Sequence, residues 1–366
     1  MQKTIQLLLR RGQIAEAQAQ ADQLIEKNPD DLAAWMAWGA CQLAQGASLL
    51  ALVERCQEQQ HEHPHLLAPV LYLGLLQRRQ SAHAECVKTL TPIANDHPRL
   101  ILGHTRVTSA FVEACLASND LEHAFRLHEV AETLQLTSQH PALWRANPSW
   151  WSRHQGRTLA FRRPDRSDAA WLKQVFSTPV FAQQVNRNYA SKIARLSVPA
   201  ISQELDRQAN LSPADMGALM LIVEDAQTHT PMGFTSFVSI DPMARQAELI
   251  VGFIEEQSSR RIAELSCFLV HLAFNRLRFR RVTTSIYSSN PRLNLLKSTL
   301  RKFGFQDEGV LRAHSMHGPN HFSDVHLLGG LEDEIRHSEG VRRHGRRHGP
   351  WQQSAPQIQM TSTPLT

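Results

Sequence analysis

The sequence predicts a two-part protein of the α + α/β class, an all-helical repeat region followed by a mixed α/β domain. Residues 1–143 carry a repeat of about 34 residues and almost no strand signal. From Gln246 to Gly330 an apolar strand, a polar turn, a basic amphipathic helix, a second strand and a Phe-Gly-Phe corner follow one another. Between the two, Pro148, Ser149, Trp150, Trp151 and Ser152 interrupt both patterns. A chain of 366 residues is too long for one core, and 42% hydrophobic content is ordinary for globular folds. These observations divide the chain into helical repeats at 1–143, a linker at 144–156, a mixed α/β domain at 157–330 and a tail at 331–366.

In the first part the repeat reads Gly12, Ala17, Pro29, then Gly46, Ala51, Pro64, with a third copy keeping Ala84 and Pro98 and a looser fourth with Ala124 and Pro141. Alanine is expected where two helices pack closely, and proline where the second helix of a pair ends. The region resembles the tetratricopeptide (TPR) repeat proteins. That resemblance implies helix pairs stacked into a solenoid whose concave face binds a protein or peptide. Trp35 and Trp38 then either line the groove or pack between helices. The run His61-Glu62-His63-Pro64-His65 reads as a metal site or as a solvated turn at a repeat boundary, and the proline between its histidines favours the turn.

In the second part Ala247 to Ile254 is apolar and β-branched enough for a central strand, and Gln257-Ser258-Ser259 breaks it. A helix begins at Arg260. Ile262, Leu265, Ser266, Leu269, Leu272 and Ala273 recur at three- and four-residue spacing on its buried face, leaving Arg260, Arg261, Glu264 and Arg276 solvated. It ends in the basic run Arg276 to Arg281. Val282 to Tyr287 is a second strand, Leu293 to Phe303 a second helix, and Gly304 the left-handed residue after it. Phe305 starts the last strands. A strand feeding a helix through a polar turn aims unpaired N–H groups outward, so Ser258 to Ala263 could hold a pyrophosphate.

From about Arg157 to Gly330 the chain resembles the GNAT acetyltransferases, and within them the ribosomal-protein N-terminal (Rim-type) branch. The resemblance rests on Thr158-Leu159-Ala160-Phe161-Arg162-Arg163-Pro164 with Asp168 and Trp171 at the start. At the end it rests on Gly304-Phe305-Gln306-Asp307-Glu308-Gly309-Val310-Leu311-Arg312 with Asp324-Val325-His326-Leu327. It implies a mixed α/β acyl-CoA-binding fold and direct transfer of an acetyl group from acetyl-CoA to an amine.

The family's cofactor loop has Gln or Arg, two residues, Gly, one residue, then Gly or Ala. Here Ser258 stands at the first position, Arg261 at the first glycine, and only Ala263 matches. Glycine admits close approach to the phosphates. Arg261 therefore either swings outward and adds a bond to a phosphate or fills the groove and leaves the domain inactive. The cofactor-contact candidates are Val251, Gly252, Phe253, Ser258, Ser259, Arg260, Arg261, Ile262 and Ala263. Asn290 is a further candidate, although it lies about one helical turn too far from Gly304 for the family spacing.

An amine must be neutral to attack, and Glu248, on the strand before the loop, is the candidate to take its proton. Its other reading is an ordinary polar residue on a strand face. A strand N–H near Val251 or Gly252 could donate to the thioester oxygen. Tyr287 and Ser298 are the hydroxyls that could protonate the departing thiolate.

The net charge of +5 is modest, and the basic residues gather at Arg276 to Arg281 and in Arg342 to Gly349. Nothing resembles a base-reading module, so no specific nucleic-acid binding is expected. The Gln/Ser/Thr/Pro-rich end has too little apolar surface to order itself. Cys41, Cys56, Cys86, Cys115 and Cys267 show no Cys-x-x-Cys spacing, which predicts buried thiols in a reducing compartment and no metal. No signal peptide and no membrane-length apolar run is present, so a cytoplasmic location is expected.

Three functional readings follow: an N-acetyltransferase whose repeats capture a protein or peptide substrate, a scaffold with an inactive GNAT-like domain, and an acetyltransferase acting on a small amine or amino sugar. The acceptor is expected to be chosen by loops between Phe176 and Pro213.

Overall fold

The computed structural model describes residues 2–178, 193–209, 211–318, 321–348 and 352–353. Residues 179–192 and 210 of the acceptor-choosing stretch, and 349–351 and 354–366 of the expected tail, lie outside the described residues. The chain divides into two compact units, Met1–Ala146 and Asn147–Thr366.

The first unit is helical: α1 (Gln2–Arg10), α2 (Ile14–Lys27), α3 (Leu32–Ala44), α4 (Leu49–Glu62), α5 (Ala68–Arg79), α6 (His83–Asp96), α7 (Pro98–Gly103), α8 (Thr105–Ala117), α9 (Leu121–Thr133) and α10 (Pro141–Arg145). The turns closing four successive hairpins each hold one left-handed residue: Gly12 (φ 74°), Gly46 (φ 91°), Ser81 (φ 61°) and Asn119 (φ 58°). The third and fourth copies thus keep the turn without the glycine, at a strain of about 1 kcal/mol each.

Five residues after each turn residue stand Ala17, Ala51, Cys86 and Ala124, three of them fully buried. The expectation for the third copy is corrected. Ala84 is exposed, and Cys86 takes the close-packed position. Ala51 is exposed as well, because α4 packs through Leu52, Val53 and Cys56 instead.

Trp35 is interhelix packing. It is buried, its indole N–H donates to the Pro29 carbonyl at 2.8 Å, and it meets Trp38 edge-on at 5.7 Å. The Asp30 carboxylate accepts the first N–H groups of α5 from Leu67 and Ala68, both at 2.7 Å, and so ties one hairpin to the next. His61, His63 and His65 are exposed, and no group of three or more His, Cys, Asp or Glu that could hold a metal occurs among the described residues.

The second unit is a nine-stranded sheet of order β7-β8-β6-β5-β4-β3-β2-β1-β9. Its strands are β1 (His154–Gln155), β2 (Leu159–Arg162), β3 (Ala218–Asp225), β4 (Pro231–Asp241), β5 (Gln246–Phe253), β6 (Arg281–Tyr287), β7 (Gln306–Gly318), β8 (His321–Leu331) and β9 (Gln352–Gln353). Each neighbouring pair is antiparallel except β5 with β6.

Helices α11 (Ala169–Ser177) and α12 (Val198–Ala209) bury Phe176, Leu172 and Ile201 with Ile222, Phe234 and Ile250 of the sheet. Helix α13 (Ser259–Val270) continues as a π-helical turn to Arg276 and stacks Phe268 on Phe161 with ring centroids 3.7 Å apart. Helix α14 (Leu293–Lys302) follows β6, and α15 (Glu332–Arg336) and α16 (Glu339–His348) follow β8.

Two boundaries differ from the sequence expectation. Residues 147–156 are not an open linker. Asn147 donates to the Arg276 carbonyl at 2.6 Å, and Trp150 is fully buried edge-on to Phe279. The stretch after Gly330 is not uniformly disordered either, since it begins with two helices, and Ile335 is fully buried over Gly330. One buried apolar residue, Ile335, anchors the first of these helices where composition alone reads a solvated tail.

Candidate active site

β5 and β6 pair in parallel only over Gln246–Glu248 with Arg281–Thr283. The Thr284 hydroxyl then donates to the Leu249 carbonyl at 2.9 Å, and beyond it β5 stays with β4 while β6 stays with β8. The strands part, and the opening is a cleft of about 350 Å³ walled by β5, β6, α13 and α14. Leu265, Leu269, Leu296 and Leu300 supply much of its apolar lining.

Backbone direction along β5 follows from two hydrogen bonds. Leu249 turns its carbonyl toward β6, whereas the Ile254 N–H donates to Met232 on the β4 side at 3.0 Å. Peptide groups alternate along a strand. Val251 therefore aims its N–H into the cleft and Gly252 aims its own at β4. Side chains alternate too. Glu248 shares the sheet face of Ile250, the face that packs on α11 and α12, and it lines the cleft where the strands begin to part.

Ser258 caps α13, its hydroxyl accepting the Arg261 N–H at 3.4 Å. Ser259 and Arg260 lie exposed in the same turn. Arg261 does not fill the groove. Its guanidinium pairs with Asp225 at the end of β3 and reaches Gln257 at 3.5 Å. Asp225 is held below the usual carboxylate range by the N–H groups of Gln227 and Thr228, with a lesser contribution from Arg261. Of the loop candidates only Ile262 lines the cleft. Ser258, Ser259, Arg260, Arg261 and Ala263 form the helix start beside it.

Val251, Gly252, Phe253, Tyr287 and Asn290 line the cleft as well. Tyr287 is nine-tenths buried. The Asn290 carboxamide oxygen accepts the Arg292 N–H at 2.9 Å and so organises the entry to α14. Ser298 is a correction. It faces solvent on α14, and its hydroxyl donates back to the Leu295 carbonyl at 2.9 Å, whereas its neighbour Thr299 lines the cleft. A one-residue step on a helix is a rotation of roughly 100°, enough to exchange the two faces.

Glu264 is a second correction. It is fully buried, and its carboxylate accepts the N–H and hydroxyl of Thr158 at 2.9 and 2.7 Å. It thereby fastens α13 to β2. The Arg162 and Asp168 of the family-like start are likewise structural. Arg162 bonds Asp168 through two nitrogens at 2.6 and 2.9 Å and the buried Glu224 at 2.6 Å, which raises its pKa.

Sequence reading missed Thr284, Thr299, Glu256 and Arg292. Thr284 had no signal beyond a β-branched strand residue. Glu256 and Arg292 are linked at 2.8 Å across the open end of the cleft, a contact between residues too far apart in the chain for any local pattern.

No protein-family model and no curated protein sequence matches the chain. Among solved structures, the spermidine N-acetyltransferase of Vibrio cholerae in complex with CoA and spermine aligns at 18% identity, over 49% of this chain and 98% of that one, with a TM-score of 0.41. A chimera of the Vibrio cholerae enzyme SpeG with hSSAT aligns at 19% identity over 50% of this chain and 99% of that one, also with a TM-score of 0.41.

Proposed function

We propose that the second unit is a GNAT-type N-acetyltransferase domain that moves an acetyl group from acetyl-CoA to an amine, and that the first unit is a TPR array that recruits a protein or peptide bearing that amine. The observation that carries the reading is the parting of β5 and β6 with the Val251 N–H aimed into the opening. The residues present suit the cofactor. The cleft has the volume of a small-molecule pocket, roughly 300–1,000 Å³, its walls are largely apolar, and Arg261 is turned away from it.

Bound acetyl-CoA would supply the acetyl thioester. The Val251 N–H would meet the thioester oxygen, Glu248 would take the proton of the amine, and the Tyr287 hydroxyl would give one to the sulfur that leaves. The first turn of α13, at Ser259 and Arg260, would present N–H groups to the phosphates. The inactive-scaffold reading rests on Arg261 in place of glycine and on the shifted Asn290, and the ion pair of Arg261 with Asp225 removes the first of these supports.

A small amine is the second reading for the acceptor. Glu248, Glu255 and Glu256 all line the cleft and favour a cationic substrate of any size.

The test is release of free CoA by the full chain with acetyl-CoA and a panel of N-terminal peptides, polyamines and amino sugars. Turnover with one class assigns the acceptor. Glu248→Gln is expected to lower kcat by about 10²–10⁴. No turnover across the panel, or full activity in Glu248→Gln, contradicts the proposal.

A further inference from the structure

Four charged residues line the cleft among the described residues: Glu248, Glu255, Glu256 and Arg292. Three are acids. A phosphate-bearing ligand entering this lining meets one cation, and that cation is already engaged, because Arg292 holds Glu256 at 2.8 Å. The pair spans the open end of the cleft, from the segment after β5 to the residue that caps α14. The Glu256 side chain is 82% exposed, so water solvates it well when it lets go. Exposed ion pairs of this kind are weak and easily exchanged. The Arg292 backbone is held by the bond from its N–H to the Asn290 carboxamide oxygen, and its side chain is about one-third exposed.

We infer that Arg292 is the side-chain phosphate contact of the acetyl-CoA site, and that Glu256 is an internal competitor which occupies it until the cofactor arrives. The inference rests on the cofactor reading above and adds to it a residue on the α14 wall, opposite the α13 turn. A guanidinium exchanging one carboxylate for a phosphate keeps its charge-assisted hydrogen bonds, whereas Glu256 regains solvent. Binding thus breaks one exposed pair and makes one less exposed one. A ligand lacking phosphates gains nothing from the exchange.

The experiment is calorimetric titration of CoA, dephospho-CoA and pantetheine into the full chain and its Glu256→Gln, Arg292→Gln and doubly substituted variants, with thermal unfolding as the control for folding. Glu256→Gln is expected to tighten CoA about two- to fivefold, the scale of removing an exposed competitor. Arg292→Gln weakens it about tenfold or more, and the double variant matches Arg292→Gln, since Glu256 acts only through Arg292. Pantetheine is indifferent to both substitutions. Persistence of the Arg292→Gln loss with dephospho-CoA assigns the contact to the pyrophosphate, and its disappearance assigns it to the ribose phosphate. CoA binding unchanged by either substitution, or a double variant that binds like Glu256→Gln alone, overturns the inference and leaves the cofactor reading standing. Absence of CoA binding in every variant, the unsubstituted chain included, overturns the cofactor reading itself.

Discussion

The residue that the sequence marked as most doubtful, Arg261, resolves through a partner thirty-six positions earlier. Glycine in the cofactor loop removes a side chain from the path of the phosphates. Here the side chain is present but pulled toward Asp225, which achieves the same clearance by an ion pair. Asp225→Ala is therefore expected to free Arg261 and to change the affinity for CoA severalfold while leaving that for pantetheine unchanged, as calorimetry would read. An unchanged CoA affinity would mean that the direction of Arg261 is irrelevant to the site.

His154 links burial to pH. It is buried against Phe268, and burial, with Arg276 and His271 nearby, pushes its pKa down to about 4 from 6.5. A lowered folded-state value means that the unfolded chain takes up a proton first as pH falls. Stability present above pH 6.5 is then lost between about 6.5 and 4, by at most roughly 3 kcal/mol. His154→Phe is expected to flatten that acid limb of a denaturation series, and a parallel limb in the variant would assign the loss to other groups.

At the scale of elements, the cleft depends on how α13 and α14 are held. Glu264 closes the N–H groups at the start of β2, and replacing it by Ala leaves Thr158 and Leu159 donors unpaired inside the fold. A loss of about 1–3 kcal/mol is expected, measurable by urea unfolding. Helix α14 is tied to β7 by Lys297 and Arg301, both paired with Asp307, whose carboxyl they hold below its ordinary range. In the helical unit, Gly39 lies against the Tyr72 hydroxyl with no space for a β-carbon. Gly39→Ala should cost about 1–3 kcal/mol by overpacking, and a neutral result would mean that α3 and α5 can separate freely.

These contacts show what was legible and what was not. Local periodicity located β5, α13, β6 and α14 to within a residue or two, and the proline and glycine spacing located the hairpin turns. Helical spacing says which face Glu264 is on but not whether a strand waits there to receive its charge. β3 and β4 were missed because their buried runs, such as Leu219 to Val223, lack the alternation that marks a half-solvated strand. The left-handed Ser81 and Asn119 were hidden because the turn geometry persists where its usual residue does not.

At the scale of the whole molecule, two units of different construction share one chain. The helical unit keeps Cys41, Cys56, Cys86 and Cys115 buried, and Cys267 is buried in the other. Burial pushes the thiols of Cys56, Cys86 and Cys267 up to about 12. Native protein should then react slowly with a thiol reagent at neutral pH and rapidly once unfolded. No helix among the described residues is long and apolar enough to cross a membrane. The cleft between β5 and β6 is where acetyl transfer would take place.

The direct test of that claim is equilibrium dialysis of labelled acetyl-CoA against the full chain beside Ser266→Trp, which places an indole in the cleft lining. Saturable binding near micromolar, about −8 kcal/mol, abolished in Ser266→Trp with its folding intact, is the predicted result. Binding that survives the filled cleft, or none by the unsubstituted chain, would contradict the account.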